Sequence, residues 1–285
     1  EDYFNFRPGV AYTYTATLKT STTAIKVEIG CELEDWNSTG GSGSGEGEEG
    51  GEGSGDDDGK TYMDLSAAGT ANCYLVQGAG DYKFKTVIGN SDATVGNVKS
   101  VEVLWESFGT DTEPSEGDLV KNVKFEDGNI VFNTNTEYKE GNAVVAAKDA
   151  EGTILWSWHL WFVEDEIVEH EYANNAGTLM DRNLGATSAT SGDVGALGLL
   201  YQWGRKDPFH SGGSISSSTV AKSTITWPSA VSTSSSSGTV SYVTANPTTF
   251  VKGSSYTDYD WHYSSRDNTF WTTSGNEKSV YDPCP

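Results

Sequence analysis

Between Asn37 and Lys60 the chain reads NSTGGSGSGEGEEGGEGSGDDDGK, without a single apolar side chain. No hydrophobic core can run through such a stretch, because it has nothing to bury that would offset the entropy of ordering it. Folding must therefore happen on either side, and residues 37–60 are expected to be a disordered acidic Gly/Ser linker. Asp56–Asp58 invite a calcium reading, but they lack the alternating ligands and turn glycine of an EF-hand loop.

Composition narrows the partners. The net charge is -23, from 41 Asp+Glu against 18 Lys+Arg, so the summed field repels nucleic acid and anionic membrane surfaces. No apolar run is long enough for a transmembrane segment. At 285 residues the chain has room for two domains. It starts at Glu1-Asp2, which suggests a processed or excised piece. Nine Trp and 14 Tyr, with many Thr, Val and Gly, are the vocabulary of strands and turns, while amphipathic helix spacing is scarce. Cys31, Cys73 and Cys284 are too far apart in sequence for a zinc set or a disulfide framework, and read as one buried thiol per module.

Residues 1–36 hold a β-hairpin, with alternation over Val10–Leu18 and again over Ala24–Leu33. Two strands alone bury too little apolar surface, so this piece asks for a sheet to join. Residues 61–168 show seven strand-like segments: Asn72–Gln77, Tyr82–Ile88, Val98–Trp105, Leu119–Phe125, Ile130–Thr134, Ala143–Lys148 and Thr153–Val163. Turn text such as Glu126-Asp-Gly-Asn129 separates them. Seven short strands in about 100 residues suggest an immunoglobulin-like β-sandwich. In the last strand Trp156, Trp158 and Leu160 share one face, and Ser157, His159 and Trp161 the other. These rings make either ordinary core packing or a sugar platform; His159 between them reads as a hydrogen-bonded structural histidine. Glu169-His170-Glu171 cannot all face one ion on a strand, so no metal site is expected.

Residues 169–285 read as a partial mixed α+β module. Asp181 and Arg182 are adjacent, so on a strand they would face opposite ways and need separate partners, while Asn183 can tie down turn backbone. This trio is expected to be structural. Tyr201, Trp203, Arg205 and Lys206 would either stack on and hydrogen-bond a sugar or form a core Trp with snorkelling cations. A second aromatic-rich stretch, Tyr256–Trp271, contributes Tyr259, Trp261 and Trp271. The candidate ligand-binding set is therefore Tyr201, Trp203, Arg205, Tyr259, Trp261 and Trp271. No catalytic residues and no cofactor are expected, for the chain lacks a G-x-S-x-G elbow, H-E-x-x-H, a P-loop and a dinucleotide fingerprint.

Three quoted motifs carry a family resemblance. Met180–Ala186 (MDRNLGA), Gly198–Phe209 (GLLYQWGRKDPF) and Asp282–Pro285 (DPCP) resemble the start of the Fibrobacter succinogenes major paralogous domain, found in surface and secreted proteins of Bacteroidetes. That family continues past the position of Pro285, so the resemblance implies a truncated module. The text from ANCYLV to ILWSWHLW is similar to the module that commonly precedes that domain. RPGVAYTYTATLKTSTTAIKVEIGCELEDW resembles the closing strands of a fimbrillin-like domain. The resemblance implies an extracellular protein, outer-membrane anchored or fimbrial, and no firmly assigned activity. The leading expectation is a non-enzymatic, adhesin-like attachment protein. The alternative is a module capturing host or dietary glycan through exposed Trp and Tyr. Other fimbrial or surface proteins are the remaining partner class.

Overall fold

The computed structural model describes residues 11–21, 24–34, 60–174, 177–210, 220–264, 267–271, 273–274 and 277–285. The chain divides into two compact units, residues 1–56 and 57–285. The linker reading of residues 37–60 (all but Lys60), the calcium reading of Asp56–Asp58 and the buried-thiol reading of Cys31 lie outside what is described.

In the first unit, β1 (Ala11–Ser21) pairs antiparallel with β2 (Ala24–Glu34), from Ala11 opposite Glu34 to Ser21 opposite Ala24. The hairpin is the one expected, but β1 runs three residues further than its alternation suggested, through Lys19, Thr20 and Ser21.

The second unit contains β3 (Met63–Asp64), β4 (Cys73–Val76), β5 (Asp81–Lys85), β6 (Ser100–Ser107), β7 (Val120–Glu126), β8 (Asn129–Thr134), β9 (Gly141–Lys148) and β10 (Ile154–Phe162). The seven expected strands are all present, and the mainly β expectation holds. Together with the short β3, which the sequence reading did not expect, they form two four-stranded mixed sheets, β4-β10-β9-β6 and β3-β5-β8-β7. Each has one parallel pair at its edge, β4 with β10 and β3 with β5. The β7–β8 hairpin turns through Asp127 (φ 46°) and Gly128 (φ 78°), the left-handed pair that a tight hairpin turn demands.

Side chains of both sheets meet in one cluster. Tyr74, Trp156, Trp158, Leu160 and Phe162 come from the first sheet, and Tyr82, Phe84, Ile130 and Phe132 from the second. Trp158 packs edge-on to Phe84 at 5.4 Å between centroids. Alanine stands beside the large side chains, Ala147 opposite Trp156 and Ala143 opposite Leu160, which is how large and small residues fill a core without voids.

The first sheet is buried on its other face as well. All of Gly141–Ala147 is buried, a pattern that belongs to strands covered on both sides. The cover is the chain after residue 177. Met180 and Leu184 pack with Cys73 and Trp161, and Leu199, Tyr201, Ile225 and Trp227 pack with Trp105 and Val144. A bulge in β6 at Leu104 aims Trp105 to this side: Val103 pairs with Val145 but Trp105 with Val144, so the extra residue flips the strand's later side chains to the opposite face.

The covering segment has little regular structure. Its described residues contain β12 (Gly177–Met180), which pairs with β11 (Glu169–Tyr172) just before it, β13 (Val231–Ser232) parallel to β14 (Val251–Lys252), β15 (Thr273–Ser274) paired with β16 (Glu277–Lys278), and a short α-helix, α1 (Val240–Ala245). Thr239 caps α1 by accepting from the Tyr242 amide at 3.2 Å. No helix of the described residues is long and apolar enough to cross a membrane.

Candidate functional site

Side chains from the sheet's outer face are bonded directly to the cover. Asn142 donates to Gly185 O at 2.9 Å and meets His159 Nε2 through its Oδ1 at 2.9 Å. Trp161 Nε1 donates to Ala186 O. Burial pushes His159 down to about 3, so it stays neutral, as a structural histidine should. Residues 201–208 leave this surface as a loop closed at its base by reciprocal bonds between Leu200 and Phe209. Gly204 (φ 82°) lets the loop turn back, and Arg205 N donates to Gln202 O at 2.9 Å.

The turn divides the aromatic–basic cluster. Trp203 points outward and is 49% exposed. Arg205 and Lys206 point inward, each all but fully buried. Arg205 donates to Gln202 Oε1 and to the carbonyls of Thr249 and Pro247, and its guanidinium lies 5.0 Å from the Phe209 ring centre. Burial lowers it to about 10. Lys206 does not snorkel: its Nζ donates to Ser157 O, Ser157 Oγ and Asp207 Oδ1 at 2.6–2.9 Å. Ser157 Oγ in turn donates to Asp207. Burial lowers the lysine, and Asp207 works against that shift. With every proton of the ammonium matched, the cation stays inside instead of reaching for water.

An open cleft of about 560 Å³ lies against Trp203, lined by Tyr201, Gln202, Trp203, Phe250, Asp258, Tyr259, Asp260, Trp261 and Asn268. Its far wall is the turn Ser254–Asp260. Tyr259 N donates to Ser254 O at 2.8 Å, and Thr257 Oγ1 accepts from Ser254 N and donates to Asp260 O. Asp258 (φ 50°) and Tyr259 (φ 63°) are both left-handed, which an aspartate tolerates and a tyrosine adopts only under constraint. The result is a tyrosine held out at 79% exposure. Trp261 forms the floor, 3% exposed, with its Nε1 donating to Trp203 O at 2.7 Å. Trp271 does not line the cleft; it backs Trp203 at 4.9 Å between ring centres, and its Nε1 donates to Tyr281 O.

Four of the six candidate residues, Tyr201, Trp203, Tyr259 and Trp261, thus converge on one cleft from two sequence stretches. Trp271 supports the cleft from behind. Arg205 is withdrawn from it and orients Gln202 instead. Among the lining residues Gln202, Phe250 and Asn268 were not legible in advance. Phe250 gave a weak signal, since it directly precedes Val251, whose side chain is buried, and so faces out with 43% exposure.

Asp181 and Arg182 correct an expectation. They do not seek separate partners but pair with each other, Nε to Oδ1 at 2.8 Å and a second guanidinium nitrogen to Oδ2 at 3.0 Å. The opposite-face rule fails because β12 ends at Met180 and the next residues turn. The Arg182 bond holds the Asp181 carboxyl below the usual range. Asn183 does tie down turn backbone, donating to Ala196 O at 3.1 Å. Among the described residues no cluster of His, Cys, Asp or Glu has the makings of a metal site, and Glu169–Tyr172 is exposed throughout.

No family model, curated protein or solved structure matches this chain.

Proposed function

We propose that this is a non-enzymatic, extracellular attachment protein of a bacterial cell surface that captures glycan in the Trp203–Tyr259 cleft. The observation that carries this reading is the pair of outward aromatic rings set over a buried Trp261 floor. Exposed aromatic rings gathered in one cleft, unlike apolar side chains scattered singly, mark a binding groove, and flat aromatic faces suit the C–H-rich faces of pyranose rings. The surface location and the adhesin-like role rest on the motif resemblance to the Fibrobacter succinogenes major paralogous domain and to fimbrillin-like strands. The same reading takes the shared core of the two sheets as an immunoglobulin-like β-sandwich and the later chain as the start of a major-paralogous-type module.

A glycan array with the whole chain tests this, alongside Trp203→Ala and Tyr259→Ala. Each variant is expected to weaken binding by about 2 kcal/mol, roughly thirtyfold, as for a central aromatic contact. Trp261→Ala is a poor probe, because it removes the floor. Retention of no glycan by the wild-type chain would sink the reading.

Attachment to another surface protein is the second reading. It is favoured by the β11–β12 hairpin, which leaves Val168, Tyr172 and Leu179 exposed together.

A further inference from the structure

Two thiols that stand far apart in sequence come to the same end of β4. Cys73 opens the strand and is 1% exposed, packed with Trp161 and Val163. Residues 279–285 are laid against that strand end. Asn72 Nδ2 donates to the carbonyls of Val280 and Asp282, both at 2.9 Å, and Asn90 Nδ2 donates to Ser279 O at 2.8 Å. Cys284 N donates to Asp282 Oδ1 at 2.8 Å, a tight turn that keeps Cys284 beside the anchored Asp282. Lys278 Nζ donates to Cys284 O at 3.4 Å and to Pro285 O, and Lys278, Pro285 and Cys73 line one open groove. Each thiol lies within range of the other's charge: burial first, then Cys284, push Cys73 well above its usual range. Tyr201 is raised by burial and then by both thiols, so the pair gathers on the side of the sheet that carries the cleft. Both cysteines are free thiols here.

We propose that Cys73 and Cys284 are an oxidation site, joined as an internal disulfide that staples residues 279–285 to the sheet. This stands independently of glycan capture. The oxidant is a small-molecule disulfide, of the kind that oxidising compartments hold. Cys284, the more accessible thiol, attacks it as the thiolate; the small S–S bond breaks, a mixed disulfide forms on Cys284 and one small thiol leaves. The Cys73 thiolate then attacks the Cys284 sulfur, the internal bond forms and the second small thiol leaves. Two protein thiols are oxidised, one small disulfide is reduced, and the two protons end on the departing thiols. Burial and Asp282 push Cys284 up to about 11, so exchange is slow in the folded chain and the bond forms as the chain folds. Once made, it is shielded by the burial of Cys73. The loop it closes spans most of the second unit, so it removes much freedom from the unfolded chain. It also fixes the wall behind the cleft, because Tyr281 O accepts from Trp271 Nε1 and Trp271 backs Trp203.

The test refolds the whole reduced chain from urea in a mixture of reduced and oxidised glutathione at about pH 8.5, where thiolate is available. Intact mass is expected to fall by two hydrogens, and a non-reduced digest to join the peptides that carry Cys73 and Cys284. The melting temperature should rise by about 10 °C over the chain refolded in dithiothreitol, and the reductant should reverse the gain in unfolded chain. Cys31→Ser, which leaves only these two thiols, should form the same bond. Cys284→Ser should lose both the bond and the shift and keep Cys73 as a free thiol. Separate glutathione adducts on the two cysteines, or both left reduced, would overturn the proposal. A preferred bond from Cys31 to either of them in the wild type would do the same, as would an internal bond that leaves the melting temperature unchanged.

Discussion

His159 shows at the level of one residue what the second buried face of the sheet demands. Its folded-state value of about 3 lies below the unfolded one of about 6.5. Stability from this group is therefore full above pH 6.5 and is lost as pH falls towards 3. Between pH 7 and pH 5 the loss should be about 2 kcal/mol, above the range where the carboxylates Asp118 and Asp181, both lowered, begin to contribute. Urea midpoints at pH 7, 6 and 5 read this directly, and His159→Gln should flatten the slope; a slope unchanged by that substitution would count against the assignment. The Ser157–Lys206–Asp207 group behaves differently, because charge balance matters there more than titration. Asp207→Asn leaves a buried ammonium with only Ser157 and the face of Trp156, whose ring centre is 4.5 Å from Nζ. Removing one partner of a buried pair costs about 3–5 kcal/mol, to be seen in the denaturation midpoint. Lys206→Met with Asp207→Leu removes both charges and should recover most of it.

At the level of elements, the cleft depends on how two loops are held. The 201–208 loop is pinned at its base and by Arg205, and the Ser254–Asp260 turn by Thr257 and by Gly253. A Cβ on Gly253 would fall on the Tyr259 carbonyl and the Asp260 oxygen. Gly253→Ala must therefore push the turn away from β14 and swing Tyr259 out of line with Trp203. The expected outcome is a tenfold or greater loss of glycan retention with little change in melting temperature, since the displaced turn is mostly exposed. Gly204→Ala acts on the opposite wall, where a Cβ would come within 2.7 Å of Phe270 at a left-handed φ, and should lower both binding and stability.

For the whole second unit, the covering segment and the strands are expected to fold as one. Residues 57–176 alone would expose Trp105, Val144, Trp161 and Val163 on the outer face, all at or below 1% exposure in the intact unit. They would also strand the polar groups of Asn142, Ser157 and His159, which now bond to the cover or to one another. A fragment of residues 57–176 should accordingly aggregate or lack near-ultraviolet circular dichroism, while residues 57–285 give a cooperative transition. A well-dispersed NMR spectrum from the shorter fragment would refute this.

The sequence by itself determined the seven strands of residues 61–168, their turns and which residues of β10 share a face. These follow from local alternation and from residues such as Gly128 whose backbone needs are their own. It also brought out the aromatic stretches that supply Trp203, Tyr259 and Trp261. It did not reveal which way Arg205 and Lys206 point, that Asp181 pairs with Arg182, or that β9 is covered on both sides. Those outcomes turn on partners far along the chain, such as Thr249 for Arg205, Ser157 for Lys206 and Gly185 for Asn142. A cation is drawn into a core only when carbonyls and carboxylates already stand there to match its protons. That arrangement exists only once the cover has closed on the sheet, so which side chains of the aromatic–basic cluster face the cleft and which are withdrawn from it was a decision of the tertiary structure.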